Sequence, residues 1–586
     1  MTGAAPASLP EAGRDARAAW LRALERTSCI RSEGPTLPQL IETQARKFGA
    51  APALMDEREM LSFGDLARRV NAYARWALAQ GLGPGDVVCL FLPNSADYLA
   101  LWLGITRAGA TAALVNTGLR GASLAHAISI VSPKLVIVDA HFTEEITSAL
   151  PQSDNGIGLW SHGGASGPFP RVDMREYGDE PVSAPTPDLM GRALLLYTSG
   201  TTGLPKAANV SHYRLMQWSQ WFAGLLNTSS ADRMYNCLPL YHSVGGILAV
   251  GAMLASGGST AIRQKFSARR FWEDVRDTDC TLFAYVGELC RFLLASPPQP
   301  CESEHRLRLC CGNGLAASVW RPFQERFAIP RILEFYAATE GSVSLYNCED
   351  EPGAIGRIPG FLRHRIEIVL VRFDFESGLP ARGRDGFCIS CETDEAGEAL
   401  GRLDAGRIGA GAAFEGYADA DATEHKILHD VFVKGDAWFR TGDLMRRDAR
   451  SFFYFVDRIG ETFRCNGENV STQEVASVIA ACPGVRDAVV YGVRVPDMDD
   501  KVGMAAIVPS EDFDLARLHR HLVANLPSPA RPRYLRLCKT LEMTATFKPQ
   551  KQKLMGEGCD PAAGDDPVYL DDKTAFVRLT PEGHGR

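Results

Sequence analysis

The stretch LLLYTSGTTGLPK (residues 194–206) decides how this chain is read. Leu194, Leu195, Leu196 and Tyr197 form a short apolar run bounded by a turn signal, the pattern of a buried strand. The run passes directly into Thr198, Ser199, Gly200, Thr201, Thr202 and Gly203, and ends at Lys206. Glycines let backbone N–H groups approach an anion with no Cβ in the way. Those N–H groups and four hydroxyls can then donate to phosphate oxygens, and Lys206 adds a point charge. The plain alternative is a polar turn between two strands. The ordered set of hydroxyls, glycines and a lysine behind a buried strand favours phosphate. The GxxxxGK[ST] spacing is absent, so this is not a Walker loop.

Working outward, helix and strand patterns alternate. Helical periodicity covers Trp20 to Arg26, Leu37 to Phe48 and Asp65 to Ala79. Asp86 to Leu92 reads as a buried strand, Ala96 to Ala108 as helix, and Thr111 to Val115 as strand. Ser123 to Ile130 is helix and Leu135 to Asp139 strand. Such alternation predicts an α/β body with parallel-rich sheets. Ser153 to Pro187 is rich in Gly, Ser and Pro and reads as a surface connection. From Glu367 to Asp457, short β-type runs separated by Gly and Asp turns predict a small β subdomain. From Gly460 onward the pattern is a compact α+β unit. The expected division is an N-terminal extension (1–35), a large body (36–457) and a smaller mobile C-terminal domain (458–586).

Composition restricts the function classes. The 586 residues carry a net charge of −8 and a pI near 5.9. A nucleic-acid binder has a basic face and a pI above about 9, so that class is excluded. The fifteen cysteines are an odd number scattered through apolar settings, which indicates a reduced, cytoplasmic location. Cys388 and Cys391 form one CxxC, but no second pair lies at zinc spacing, and the segment reads as a strand. The N-terminus is no secretory signal. The most apolar windows, Leu99 to Asn116 and Gly246 to Ile262, contain Arg107 or several glycines and read as buried helices rather than membrane spans. Peripheral contact at the inner membrane face stays open. The oligomeric state is not legible.

The remaining motifs complete a resemblance. They are LPLYHS (238–243), CGNGL (311–315), FYAATEG (335–341), FRTGDL (439–444), FVDR (455–458), GETFRCNGENVSTQEV (460–475) and TATFKPQKQK (544–553). With the phosphate loop they resemble the adenylate-forming enzymes, which include acyl-CoA synthetases, luciferases and peptide-synthetase adenylation domains. Ala207-Ala208 after the loop lysine, where most of that superfamily has glycine, resembles the very-long-chain acyl-CoA synthetase and fatty acid transport protein family. The resemblance runs from about Thr36 to Thr580.

It implies activation of a carboxylate by ATP, with Mg²⁺ and coenzyme A. Tyr336 would stack on adenine, bordered by Gly312, Asn313 and Gly314. Thr339 would contact the α-phosphate, and Glu340 would bind Mg²⁺. Asp443 and Arg458 would hold the ribose. Tyr241 and His242 would line the acyl pocket. Lys548 would be the mobile catalytic lysine, with Lys551 and Lys553 as rivals. The Gly467 loop would serve the thioester step. Cys465-Asn466 stands where the family has Trp-Lys. Gly460 stands where the superfamily has an acidic hinge residue. The substrates implied are long- or very-long-chain fatty acids. The alternatives are bile-acid or steroid side-chain acids, and fatty-acid uptake by CoA trapping.

Overall fold

A computed structural model describes residues 11–31, 33–150, 156–164, 168–183, 186–199, 204–341, 343–403, 414–465, 468–495, 501–544 and 549–580. Two sheets form the large body. The first has six strands, in the order Gly158–His162, Leu135–Asp139, Val87–Phe91, Thr111–Leu114, Arg192–Ser199 and Pro205–Ser211. Its first five are parallel, and Pro205–Ser211 closes one edge antiparallel. The fully buried strands are apolar apart from Thr111 and Asp139 at their ends, as suits parallel strands under helices. The second sheet has eight strands, parallel inside and antiparallel at both ends. Its parallel core includes Arg233–Asn236, Leu282–Val286, Leu309–Asn313 and Ile332–Ala337.

A third, antiparallel sheet contains Ile368–Val371, Gly397–Arg402, Ile427–His429, Ala437–Arg447 and Phe453–Arg458. This is the small β subdomain expected from the Gly- and Asp-punctuated sequence. The C-terminal unit has a separate five-stranded sheet, from Val485–Val493 to Phe576–Arg578, and its own apolar core around Ile479, Ile507, Leu522 and Leu535. Helices Thr472–Ala480 and Leu515–Asn525 pack within that core.

Three local readings change. The Gly- and Ser-rich connection contains a strand, Gly158–His162, whose Trp160 packs edge-on against Trp76 at 5.3 Å. Weak β formers hid it; pairing with Leu135–Asp139 forms it. The first helix is longer than its periodic segment and runs from Glu11 to Ser28. It is built into the main core, with Trp20 edge-on to Trp221 at 5.7 Å and to Tyr346 at 5.4 Å. The window from Gly246 opens inside a π-helical turn, Ser243–Ala249, before α-helix begins at Val250.

Arg107 also finds its explanation. Its buried side chain contacts Glu42 at 3.2 Å and donates to the Val182 carbonyl at 2.9 Å, so a charge is tolerated in an apolar window. No described helix is long and apolar enough to cross a membrane.

Candidate active site

The two ends of the phosphate-loop sequence lie on paired antiparallel strands. Thr198 pairs with Lys206 and Ser199 with Pro205 across the antiparallel edge. Gly200, Thr201, Thr202 and Gly203 lie outside the described residues. Strand alternation separates Tyr197 from Thr198. The Tyr197 side chain goes into the core and donates to the Ala127 carbonyl at 2.6 Å. Its ring belongs to the core packing, so a contribution of Tyr197 to the nucleotide site would come from its backbone. Thr198 faces the other way, its hydroxyl 3.3 Å from Glu340 Oε1.

Glu340 is the meeting point of three segments. Besides Thr198, it accepts a 2.5 Å hydrogen bond from the Tyr417 hydroxyl. Lys206 Nζ sits 5.5 Å above the Tyr417 ring. The alanine pair after Lys206 has a local role here. Ala207 accepts from Ala418 N at 2.8 Å, Ala208 bridges Tyr417, and both alanines are buried. Small side chains let the segment that carries Tyr417 cross the hairpin closely. Thr339 is half-buried in the turn just before Glu340.

Tyr336 and Asp443 meet directly. The Tyr336 hydroxyl donates to Asp443 Oδ2 at 2.5 Å, and burial followed by the Asp443 charge pushes that phenol upward in pKa. Asp443 pairs in register with Arg458, whose Nε is 3.7 Å from Oδ1. The fifteen-residue separation is thus spanned by two adjacent strands. The Gly442 turn needs φ +76°, a region that glycine enters without strain. It is braced from below by Glu398, which is 0% exposed and takes two donors from Arg440 plus Gly442 N at 3.3 Å.

Gly312 and Gly314 end the strand Leu309–Asn313 beside this cluster. A Cβ on Gly312 would fall 2.1 Å from the Tyr285 carbonyl, so the close approach needs glycine. Gly314 has φ +81°. Asn313 Oδ1 is buried with no hydrogen-bond partner among the described residues. An orphaned buried acceptor is costly, and it suits the exocyclic amine of a bound base. Beneath the loop, Glu334 accepts from Tyr285 and from Leu315 N, the latter at 3.0 Å. Burial pushes the Glu334 carboxyl up to about 8.

Tyr241 is buried with its ring 4.7 Å from that of His242, immediately before the π-helical turn. A Cβ on Gly246 would fall 1.9 Å from the Leu240 carbonyl, so this glycine permits the turn. Gly460 is exposed, with open space where a Cβ would lie. Lys551 pairs with Glu461 and donates to Thr472 at 3.0 Å, and Lys553 pairs with Glu542 at 2.5 Å. Both rivals of Lys548 are thereby engaged. Lys548 itself and Gly467 lie outside the described residues.

Four residues of the cluster escaped the sequence reading: Tyr417, Lys426, Glu398 and Glu334. None belongs to a motif; Tyr417, Lys426 and Glu398 come in from other segments, and Glu334 sits just before the FYAATEG motif on the strand Ile332–Ala337. Lys426 Nζ donates to the carbonyls of Arg440 and Thr441 at 3.2 and 3.1 Å. Burial holds its ammonium below the usual lysine value, opposed by Glu340, Asp443 and Glu398.

The oxygen donors around Glu340 fit a hard divalent cation. Among the described residues no cluster of three His, Cys, Asp or Glu could cage one, so phosphate oxygens would have to complete its shell.

With this geometry in view, the fold defines a class. It matches the anthranilate CoA ligase AuaEII in complex with anthranoyl-AMP at a TM-score of 0.76, with 21% identity over 92% of this chain and 98% of that one. It matches ATP-bound MatB from Rhodopseudomonas palustris at 0.73, with 24% identity over 89% and 98%. The adenylate-forming fold is common to all three.

The chain belongs to the AMP-binding enzyme family, whose description matches residues 41–383, with the AMP-binding enzyme C-terminal domain at residues 474–548. Within it, long-chain fatty acid transport protein 6 of Mus musculus is 36% identical over 94% of this chain and 90% of that protein. Long-chain fatty acid transport protein 1 of Mus musculus is 37% identical over 95% and 88%.

Proposed function

We propose that this chain is a long- or very-long-chain fatty acid–CoA ligase that forms acyl-AMP and then acyl-CoA. One observation carries the reading. Three elements converge on one site: the Thr198–Lys206 hairpin, Glu340, and the Tyr336–Asp443–Arg458 cluster. Their order, from phosphate donors to a carboxylate to an acceptor and donor pair suited to ribose hydroxyls, follows the order of groups along a nucleotide. The fatty-acid part of the reading is supported by the relatives' names.

In the first half-reaction, a substrate carboxylate oxygen bonds to the α-phosphorus of ATP and the bond to the pyrophosphate oxygen breaks. The hairpin holds the departing phosphates. Thr339 holds the α-phosphate, and Lys548 bridges it to the incoming carboxylate. Placement and charge stabilisation supply most of the rate. A Mg²⁺ ion held by Glu340 and by phosphate oxygens would neutralise charge on the nucleotide. In the second half-reaction, the coenzyme A sulfur bonds to the acyl carbon, AMP leaves, and the thiol proton is released. The domain 458–586 turns about Gly460 between the halves, withdrawing Lys548 and presenting the Gly467 loop. Tyr241 and His242 border the acyl chain.

The test is pyrophosphate release across acids from acetate to very long chains and sterol acids, with and without coenzyme A. Release stimulated by long-chain acids, and thioester formed only with coenzyme A, is expected. Release confined to sterol acids would redirect the substrate class. No acid-dependent release would overturn the reading.

A further inference from the structure

Lys426 enters the site from the turn that precedes the short strand Ile427–His429, outside every motif. Two of its three N–H donors go to the Arg440 and Thr441 carbonyls, which lead into the Gly442–Asp443 turn. Its ammonium lies 5.5 Å from the centre of the Phe439 ring, and only 3.7 Å from where a Cβ on Gly442 would be. Peptide carbonyls need a donor but not a charge. A largely buried ammonium is expensive unless an anion accompanies it. Among the described residues no carboxylate lies within ion-pair distance of Lys426, although Glu340, Asp443 and Glu398 contribute field at longer range. Glu398 is already committed to Arg440.

The chain therefore places a cation, with one donor to spare, beside Asp443 and within the field of Glu340. A nucleotide held between those two carboxylates puts its α-phosphate in that interval. Lys206 lies over Tyr417, at the other end of a row of rings, Tyr417, Phe414 and Phe439, whose neighbouring centres lie 5.9 and 5.0 Å apart. One lysine thus flanks each end of the row.

We propose that Lys426 is a fixed ligand of the adenylate phosphate, holding acyl-AMP and AMP in place from within the large body. The proposal rests on the adenylate-forming reading above. It assigns the phosphate two different cations. Lys548 acts while the C-terminal domain is docked for adenylation, and Lys426 acts in either domain position because it never leaves.

Calorimetric titration of AMP and of adenosine into the wild-type chain, Lys426→Gln and Lys426→Arg tests this. Glutamine keeps donors for the two carbonyls and removes the charge; arginine keeps the charge. A charge-assisted contact is worth about tenfold or more in affinity. Lys426→Gln should weaken AMP by about that factor and leave adenosine within about twofold, and Lys426→Arg should recover part of the AMP affinity. Equal weakening of AMP and adenosine would make Lys426 a brace for the turn and overturn the proposal, as would unchanged AMP binding in Lys426→Gln. Failure of the wild-type chain to bind AMP would instead overturn the adenylate-forming reading.

Discussion

The nucleotide side of the large body and the C-terminal unit are held in opposite ways. On the body, Glu340 and Asp443 are each held by partners from two separate segments, and the turn at Gly442 is braced by the fully buried Glu398. The C-terminal unit has its own sheet and core. It meets the body through polar contacts such as Arg291 with Asp487 at 3.0 Å and Arg464 with Glu376 at 2.7 Å. A site that must keep one geometry uses buried, cross-braced groups. Partly exposed ion pairs of this kind cost little to break, although Thr472 also donates to the buried Asp457 across the junction. In the proposed function, nucleotide binding falls to the body and the switch between half-reactions to the C-terminal unit.

The largest effect should come from the C-terminal side. Lys548→Ala should lower acid-dependent pyrophosphate release by about 10²- to 10³-fold, the usual loss when a charge-stabilising donor is removed. Thioester formation from supplied acyl-AMP should stay within a few-fold of wild type. Loss of both half-reactions would place this lysine in the structure of the domain instead.

On the body, Glu340→Gln should slow acyl-AMP formation by about 10²-fold and change its Mg²⁺ dependence. Tyr417→Phe removes one charge-assisted hydrogen bond to Glu340 and should cost about tenfold in the same assay. If Tyr417→Phe has no effect, the bracing of Glu340 does not matter to the chemistry.

Glu334 sharpens the body side through pH. Its carboxyl titrates near about 8 when folded, against an ordinary 4.5, so folding favours the protonated form. Its contribution to stability is full below about pH 4.5 and is lost as pH rises through about 8. Thermal melts of wild type should therefore fall across that window, and Glu334→Gln should flatten the fall. An unchanged slope would remove Glu334 as its cause.

The smallest effect is expected at the junction. Arg291→Ala removes a partly exposed ion pair worth about 1 kcal/mol or less. It should shift the ratio of the two half-reaction rates by no more than about fivefold while leaving AMP affinity unchanged. A change in AMP affinity would mean that the two units are coupled more tightly than their contacts suggest.

Much of this site was legible as sequence. The strand-to-loop transition at 194–206, the Thr-Glu pair after a strand and the aspartate–arginine spacing are local patterns, and local patterns survive without a fold. The partners were not legible. Tyr417, Lys426, Glu398 and Glu334 are separated along the chain from the groups they serve, and no local pattern marks them as partners of those groups. Tyr197 shows the converse. It sits inside the motif, yet strand alternation turns it into the core.

The amino-acid sequence by itself pointed to a phosphate site, because glycines, hydroxyls and a lysine in that order behind a buried strand suit phosphate oxygens, and the class of chemistry followed from the resemblance that its motifs carry. It also determined the alternating α/β body, through apolar runs of strand length separated by helical periods. Only the tertiary structure decided which charges are paired and which are left for a ligand. Pairing is a matter of distances between remote segments, and those distances exist only once the sheets and the small β subdomain have closed around Glu340 and Asp443.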